Sequence, residues 1–369
     1  MGMTNLAANQ DAFVLWKKEA IRVFREELFF KKFFGTDDNA IVQYITELKK
    51  TDTGTKAQIG LIPDLAGNGV VGDNELDGRE EAMDAYWLDI NIDQLRNAVK
   101  SKGRKADRQA VFKVRSEARD RLSRWRANMV DELMILTASG ISYNFNTDGS
   151  VRSGSGDPLT SLDFAADVTA PTSNRHFNYN ATSLVAGDTA TVAATYLPKY
   201  GMVVDLMAEA RTRGIKPVRV GGQDCYVYLC HPKHFAQLKK DADFRDAIIN
   251  AADRGSKNPI FSGATVTMDG LVIHTNNKCF TTLGAASGSK WGSGGTVNGT
   301  RSLLMGAQAL AFADINENMA WEEEVKDYGN RYGVAISAFN GILKPQYISR
   351  FDSNTVQDFG VMSVNSYIA

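Results

Sequence analysis

Cysteine is scarce in this chain: Cys225, Cys230 and Cys279 are the three in 369 residues. Three thiols build no disulfide framework, and they fit a reducing compartment. Histidine is nearly as scarce, with His176, His231, His234 and His274, and none stands in a recognisable nucleophile–base arrangement along the sequence. Charge bias is missing too. Forty-two Lys and Arg against 43 Asp and Glu leave a formal net charge of −1, which removes any global electrostatic case for tight nucleic-acid binding. Long apolar runs are absent. The most apolar stretch, Leu303 to Ile315, is too short and too polar to span a bilayer. Residues Met1 to Gln10 lack the basic-then-apolar order of a secretory signal. Met1-Gly2 starts like a myristoylation motif, but Leu6 stands where Ser or Thr is required. The expectation is a product that is soluble when made, with no membrane partner.

What is present suffices for a real core: 43% of residues are apolar and 23% charged, enough for one large domain or two ordinary ones. Phe13, Trp16, Ala20 and Phe24 recur at helical spacing, which predicts a helix from Asn9 to Phe34 with Gly35 as its stop. Ile41 to Leu48 reads as a strand. Tyr86, Leu88, Ile90 and Ile92 alternate with Asp89, Asn91 and Asp93, the pattern of a half-buried strand. Between them lie about forty residues rich in glycine, and loops of that length in compact domains are usually functional. Such an arm has a use in an interlocking subunit, where it buries surface on a neighbour. Val111, Val114, Ala118, Leu122, Trp125, Met129, Leu133 and Leu136 form one stripe, predicting a helix over Arg104 to Thr137 of about 50 Å. Its other faces are dense in Lys and Arg.

Ser139 to Ala190 reads as an insertion with little regular structure. A helix is predicted from Leu197 to Gly214, then a short buried strand over Tyr226 to Leu229. Pro232 begins a further helix whose apolar face runs through Phe235, Leu238, Phe244 and Ile248. Asp269-Gly270 predicts a hairpin within Val266 to His274. Ser302 to Leu304, Ala309 to Ala313 and Val334 to Phe339 are strand-like.

Catalytic and metal motifs fail on inspection. Cys225, Cys230, His231 and His234 suggest zinc, but Cys225 and Cys230 have opposite parity on a strand and face opposite sides. Gly284 to Lys290 lacks the Gly-Lys-Ser/Thr order of a phosphate loop. Asn144 to Asp157 lacks the spaced acids of a calcium loop. Glu322, Glu323 and Glu324 read as a solvated face. No enzyme site, cofactor or metal is expected. The basic helix over 104–126 allows non-specific phosphate contact through Arg115, Arg119 and Arg126; the plainer reading is that Glu117, Asp120 and neighbouring subunits neutralise it.

Several segments resemble a podovirus-type family of tailed-bacteriophage major capsid (coat) proteins. They are Val71 to Ala82, Asn91 to Val99, His231-Pro232 with Leu238 to Asp241 and Phe244, Pro259 to Gly263 with Asp269 to Ile273, Arg301 to Leu310, Asp327 to Asn330, and Gly341 to Pro345. In order and spacing they cover about three quarters of the chain, and 139–190 has no counterpart. The resemblance implies an α+β Hong Kong 97-type capsid fold. Its parts would be an N-terminal arm (1–36), an extended loop built as a long β-hairpin (37–98), and a peripheral domain (99–195) with a spine helix (104–137) and inserted loop (139–190). An axial domain (196–325) and returning peripheral strands (326–369) would complete it. It implies self-assembly into hexamers and pentamers around double-stranded DNA, with portal, scaffolding and decoration proteins as partners, in a virion assembled in the bacterial cytoplasm. Subunit contacts are expected at Phe13, Trp16, Phe24, Ile59, Leu61, Leu65, Asp73, Glu75, Arg79 and Glu80. Two alternatives stand beside this reading: an encapsulin-type nanocompartment shell, and a nucleic-acid-binding protein acting through the basic helix.

Overall fold

The computed structural model describes residues 19–46, 54–109, 114–251, 266–314 and 320–369, apart from single positions 64, 66, 82, 84, 155 and 269. Expectations placed on Phe13, Trp16, Val111, Pro259 to Gly263 and Asp269 lie outside the described residues.

The chain enters as a helix over residues 19–27 (α1), a 3-10 turn at Phe29–Phe33, and strands β1 (Phe34–Gly35) and β2 (Val42–Ile45). β3 (Lys56–Leu61) and β4 (Tyr86–Asn91) form a hairpin, and β5 (Asp93–Lys100) leads into α2 (Arg104–Gln109) and α3 (Val114–Ser139). After a stretch of short 3-10 turns come β6 (His176–Tyr179), β7 (Leu184–Val185), α4 (Tyr200–Thr212), β8 (Val218–Val220) and β9 (Gln223–Cys230). Then follow α5 (Pro232–Lys240), α6 (Ala242–Ala251), β10 (Val266–Met268), β11 (Leu271–Thr275), β12 (Gly299–Met305), β13 (Leu310–Asp314) and β14 (Ala320–Lys326). The last strands are β15 (Arg331–Leu343), β16 (Gln346–Ser349), β17 (Thr355–Asp358) and β18 (Val361–Tyr367).

Two sheets carry the fold. One, ordered β1-β2-β13-β15-β14 with β5 along β15, has six strands; the other, β10-β11-β9-β12-β18-β6-β7 with β8 on β9, has eight. Why β9 and β12, at the middle of the larger sheet, bury apolar side chains on both faces follows from its two coverings. On β12, Leu303 and Met305 face the core that holds α3, while Leu304 faces a second core with Met202 and Leu206 of α4. β9 divides the same way, with Val227 and Leu229 on one side and Tyr226, Tyr228 and Cys230 on the other. A sheet covered on both faces loses the polar alternation of a half-exposed one. Cys230 is buried, while Cys225, nearer the start of β9, is half-exposed.

Several sequence expectations change here. The first helix stops at residue 27 rather than 34, because both carboxylate oxygens of Asp131 on α3 accept backbone N–H groups, Oδ2 from Phe29 (3.0 Å) and Oδ1 from Phe30 (3.3 Å), drawing the chain into a 3-10 turn. The helix after Pro232 is two helices. Asp241 is extended (φ −66°, ψ 131°), and its carboxylate accepts the N–H of Tyr200 at the start of α4. The 139–190 segment is not merely an insertion, since β6 pairs in parallel with β18 inside the larger sheet. The C-terminal strands likewise divide: β15 serves the six-stranded sheet and β18 the eight-stranded one, while β13 and β14, expected with the axial part, belong to the six-stranded sheet. The chain therefore crosses between sheets repeatedly, and its structural halves are not contiguous in sequence.

Buried ion pairs tie these crossings together. Lys344 Nζ meets Asp358 Oδ2 at 2.9 Å, both side chains fully enclosed, and Gln346 and the Thr172 N–H also donate to that carboxylate. Arg175 meets Asp352 at 3.0 Å, and Arg213 joins it at 3.1 Å. Removing one partner of a buried pair strands the other charge. Lys344→Met is therefore expected to lower unfolding free energy by about 3–5 kcal/mol, measured by urea denaturation; a change within experimental scatter would show that Asp358 is satisfied without it.

Candidate assembly surfaces

The extended arm is a hairpin whose inner face is glued to the body. Ala57, Ile59, Leu61 and Ile90 are buried against Ala311, Leu343, Tyr347 and Phe359. Its root is set by two contacts. Asp167 accepts both the backbone N–H (2.9 Å) and the side-chain amide (2.7 Å) of Asn91. Gly341 lets β4 approach β15 so closely that a Cβ there would lie 2.3 Å from the Asn91 carbonyl oxygen. Ile59 and Leu61, expected at a subunit interface, thus serve the subunit's own core. So does Phe24, which packs with Leu122 and Val130 of α3.

Beyond Leu61 the character changes. Residues 62–85 hold no regular structure in their described positions, and Ile62, Leu65, Val71, Leu76 and Met83 are all exposed, Val71 to 79%. On the hairpin's outer face the Trp87 ring lies across Gly60 and is 69% exposed. A run of exposed large apolar side chains is what a subunit shows before its partner covers them. Asp73, Glu75, Arg79 and Glu80 are exposed on the same loop, with no ion-pair partner among the described residues. Glu81, by contrast, meets Arg350 at 2.6 Å and also accepts the Gly67 N–H.

Three arginines of the basic helix are paired within the chain. Arg121 pairs with Glu117 at 2.8 Å, Arg119 with Asp120 at 2.7 Å, and Arg124 with Glu27 at 3.2 Å. Arg126, expected as a DNA contact, is a correction: it is 5% exposed, its guanidinium sits 4.5 Å over the Phe24 ring, and burial pulls its pKa down. A side chain so enclosed cannot reach a phosphate from the subunit as folded. Arg115 lies in the first turn of α3, and its side chain is outside the description.

No group of His, Cys, Asp and Glu able to hold a metal occurs among the described residues. Burial raises the Cys230 and Cys279 thiols, the reverse of an activated nucleophile. The histidines are structural. His234 is fully buried between Tyr228 Oη and Ser366 Oγ, both at 3.0 Å, and burial lowers its pKa to about 3. His176 contacts Ser363 and Asn365 and is lowered to about 3, while His274 is lowered to about 4, in each case first by burial.

With this geometry in view, the chain can be set beside known proteins. A phage capsid protein family model matches residues 6–369. The major capsid protein of Pseudomonas phage KPP25 is 41% identical over 359 residues, 96% of this chain and 94% of that one. The capsid subunit of Ralstonia phage GP4 superposes with a TM-score of 0.76 at 27% identity, covering 93% of this chain and 91% of that one. That of cyanophage Pam1 gives 0.70 at 20% identity, covering 92% of each. This chain belongs to the phage capsid protein family, a structural family, and it has the Hong Kong 97-type fold of tailed-phage head subunits. Its place is the capsid of the virion, in contact with copies of itself.

The histidines set a pH dependence. Each has a folded pKa below its ordinary value of 6.5, so between about pH 6.5 and 4 the unfolded chain takes up protons that the native one refuses. Subunit stability should hold above pH 6.5 and fall steadily as pH drops toward 4, read by thermal melts. His234→Gln should shallow that slope; an unchanged slope would remove His234 from the account.

Proposed function

We propose that the chain is the major capsid protein that builds the icosahedral head of a tailed bacteriophage, as hexamers and pentamers around packaged double-stranded DNA. The observation that carries this is the division of the arm: a hairpin root buried in its own subunit and a far loop, 62–85, whose apolar side chains have no cover at home. An isolated globular protein gains nothing from that loop, whereas a shell subunit buries it on a neighbour, so that stability grows with assembly. The family match over nearly the whole chain supports the reading.

The finer parts of the proposal follow from it. Interface residues are Leu65, Asp73, Glu75, Arg79 and Glu80 on the loop, with Phe13 and Trp16 on the N-terminal arm. Portal and scaffolding proteins serve the same shell, with a decoration protein as a further partner. Assembly proceeds in the host cytoplasm, which suits three free cysteines. Contact with DNA is weak and non-specific, as a near-neutral chain with Arg119, Arg121 and Arg124 already paired allows.

Electron microscopy of the full chain, expressed with the neighbouring genes of its genome, tests the function: uniform closed shells are expected, and a dispersed small oligomer would refute it. The arm is tested separately. Excision must spare β3, because Ile59 and Leu61 are core residues. Replacing residues 65–83 by a short Gly-Ser turn should leave a soluble subunit with an unchanged melting temperature and no closed shells. Shells of normal yield from that variant would end the arm's role.

A further inference from the structure

We infer that the cleft between α1, α3 and the β1-β2-β13 end of the six-stranded sheet binds a small organic carboxylate with a flat apolar body, recognised by the guanidinium of Arg126. The cleft has a volume of about 320 Å³, inside the ordinary range of small-molecule sites, roughly 300–1,000 Å³. Such a site belongs to the single subunit and goes beyond shell building, so its failure would leave the capsid reading intact.

Arg126 lines this cleft from α3, and only 5% of it is exposed. It forms no hydrogen bond or ion pair among the described residues, and its close neighbour is the Phe24 ring. Asp314, which accepts the Tyr44 hydroxyl at 3.2 Å, acts on that charge without pairing with it. None of the Arg126 nitrogens is both sealed and unpaired, so they open on the cleft. The other buried cations among the described residues are all matched with oxygen. Arg175 meets Asp352, Lys344 meets Asp358, and Arg301 donates to Ser139 O and Asn365. An enclosed charge with no acceptor is costly to fold. Arg126 alone in this group carries that cost, and it does so facing a cavity.

The lining defines the ligand. Phe34, Tyr44 and Phe312 come from three adjacent strands, and their rings lie near-parallel, at interplanar angles of 27°, 15° and 19° with centroids 5.4 to 5.9 Å apart. Such rings suit a flat apolar body. The cations Arg25, Lys31 and Arg126 line the cleft against a single acid, Asp314, so the polar end of the ligand is anionic. A guanidinium offers a planar fork that matches the two oxygens of a carboxylate. Duplex DNA is too broad to enter a cleft of this size, which separates the site from any contact with packaged DNA. A ligand held there would join α1 and β1-β2 to α3, and by binding only the folded chain it would stabilise the subunit.

The probe is β-naphthoate, with β-naphthamide as its uncharged counterpart of the same shape. Each is titrated into the unassembled full chain by calorimetry, and melting temperature is read alongside. The acid should bind about tenfold more tightly than the amide, the worth of a charge-assisted hydrogen bond, and should raise the melting temperature. No binding at millimolar naphthoate, or equal binding of acid and amide, would overturn the inference. Arg126→Met keeps a flexible apolar side chain against Phe24 and removes the unpartnered charge. That variant should melt no lower than the wild type and bind naphthoate about tenfold more weakly; unchanged affinity would also overturn the inference. Should it misfold, Thr36→Trp narrows the cleft from an exposed lining position and must abolish naphthoate binding; retained binding would put the probe elsewhere and sink the site. If naphthoate fails to bind while Arg126→Met loses closed shells, the guanidinium serves a carboxylate of a neighbouring subunit, and the small-molecule site falls.

Discussion

The C-terminal turns of α3 are enclosed on every side, from Leu133 through Ser139. Burying a helix end is hazardous, because its last carbonyls have no intrahelical donors. Here three of them are answered, those of Leu136, Thr137 and Ser139. Gly140, at φ +63°, turns the chain so that its N–H donates to Thr137 O and that of Ile141 to Leu136 O, the paired bonds of a Schellman cap. A Cβ at Gly140 would collide with the Thr169 carbonyl oxygen at 2.6 Å. Arg301, from β12 of the larger sheet, donates to Ser139 O at 2.6 Å and to Asn365 Oδ1 of β18 at 3.0 Å. Its burial pulls the pKa to about 10, still far above neutrality, so a full positive charge sits at the negative end of the helix dipole. Through Asn365 the same network continues to Asn178 and His176 on β6. One helix end thus fixes three strands of one sheet, while β15 and β5 of the other sheet lie against the same helix.

That arrangement explains why the arm can be rigid at its root and uncommitted beyond it. β15 is held on one face by α3, through Val334 and Ile336, and it receives the hairpin at Gly341. Asp167 and Asp93 add hydrogen bonds from opposite directions, to Asn91 and to the Asp163 N–H. The hairpin's direction is therefore determined by the body. Past Leu61 few described contacts return to the body, the Glu81–Arg350 pair chief among them. An exposed pair of that kind contributes roughly 0–1 kcal/mol, too little to fold a loop of this length onto its own subunit against the entropy of ordering it.

Much of this was legible in the sequence because it rests on period. The alternation of Tyr86, Leu88 and Ile90 places those three inward and Trp87 and Asp89 outward, as observed. The stripe from Ala118 to Leu136 lies buried or half-buried. What period cannot show is a long-range hydrogen bond that overrides it. Nothing near Leu28 announces that Asp131, a hundred residues on, will end the first helix. Nothing near Asp241 announces Tyr200. Parity also misleads where both faces of a sheet are covered, so β6 carries no strand signal: His176, Asn178 and Asn180 look like turn chemistry until the buried network that uses the first two is in place. Three of the resembling segments acquire physical reasons. His231 caps α5 by accepting the Lys233 N–H, with Pro232 at the first helical position. Gly341 admits β4, and Lys344 neutralises Asp358. Arg301 caps the long helix. Membership in the family could be read from such residues; their roles needed the fold.

A net charge of −1 conceals a strong separation of charge. The loop carries seven acidic residues between positions 62 and 85 and only Arg79 against them, and the stretch from 94 to 106 holds five basic residues and no acidic one. Arg119, Arg121 and Arg124 of α3 are neutralised in pairs. Separation of this kind suits a subunit that must meet others in one orientation. Uniform like charge would oppose every contact, while uniform neutrality would leave many contacts equally good. Opposite patches on one chain favour head-to-tail approach and penalise head-to-head approach. The attraction acts over about 8–10 Å at ordinary ionic strength, so it orients subunits only once they are close. The apolar groups then supply affinity that does not depend on salt. Each single contact remains weak enough to be broken and remade. A closed shell needs that property, since an incorrectly placed subunit must be able to leave before its neighbours lock it in.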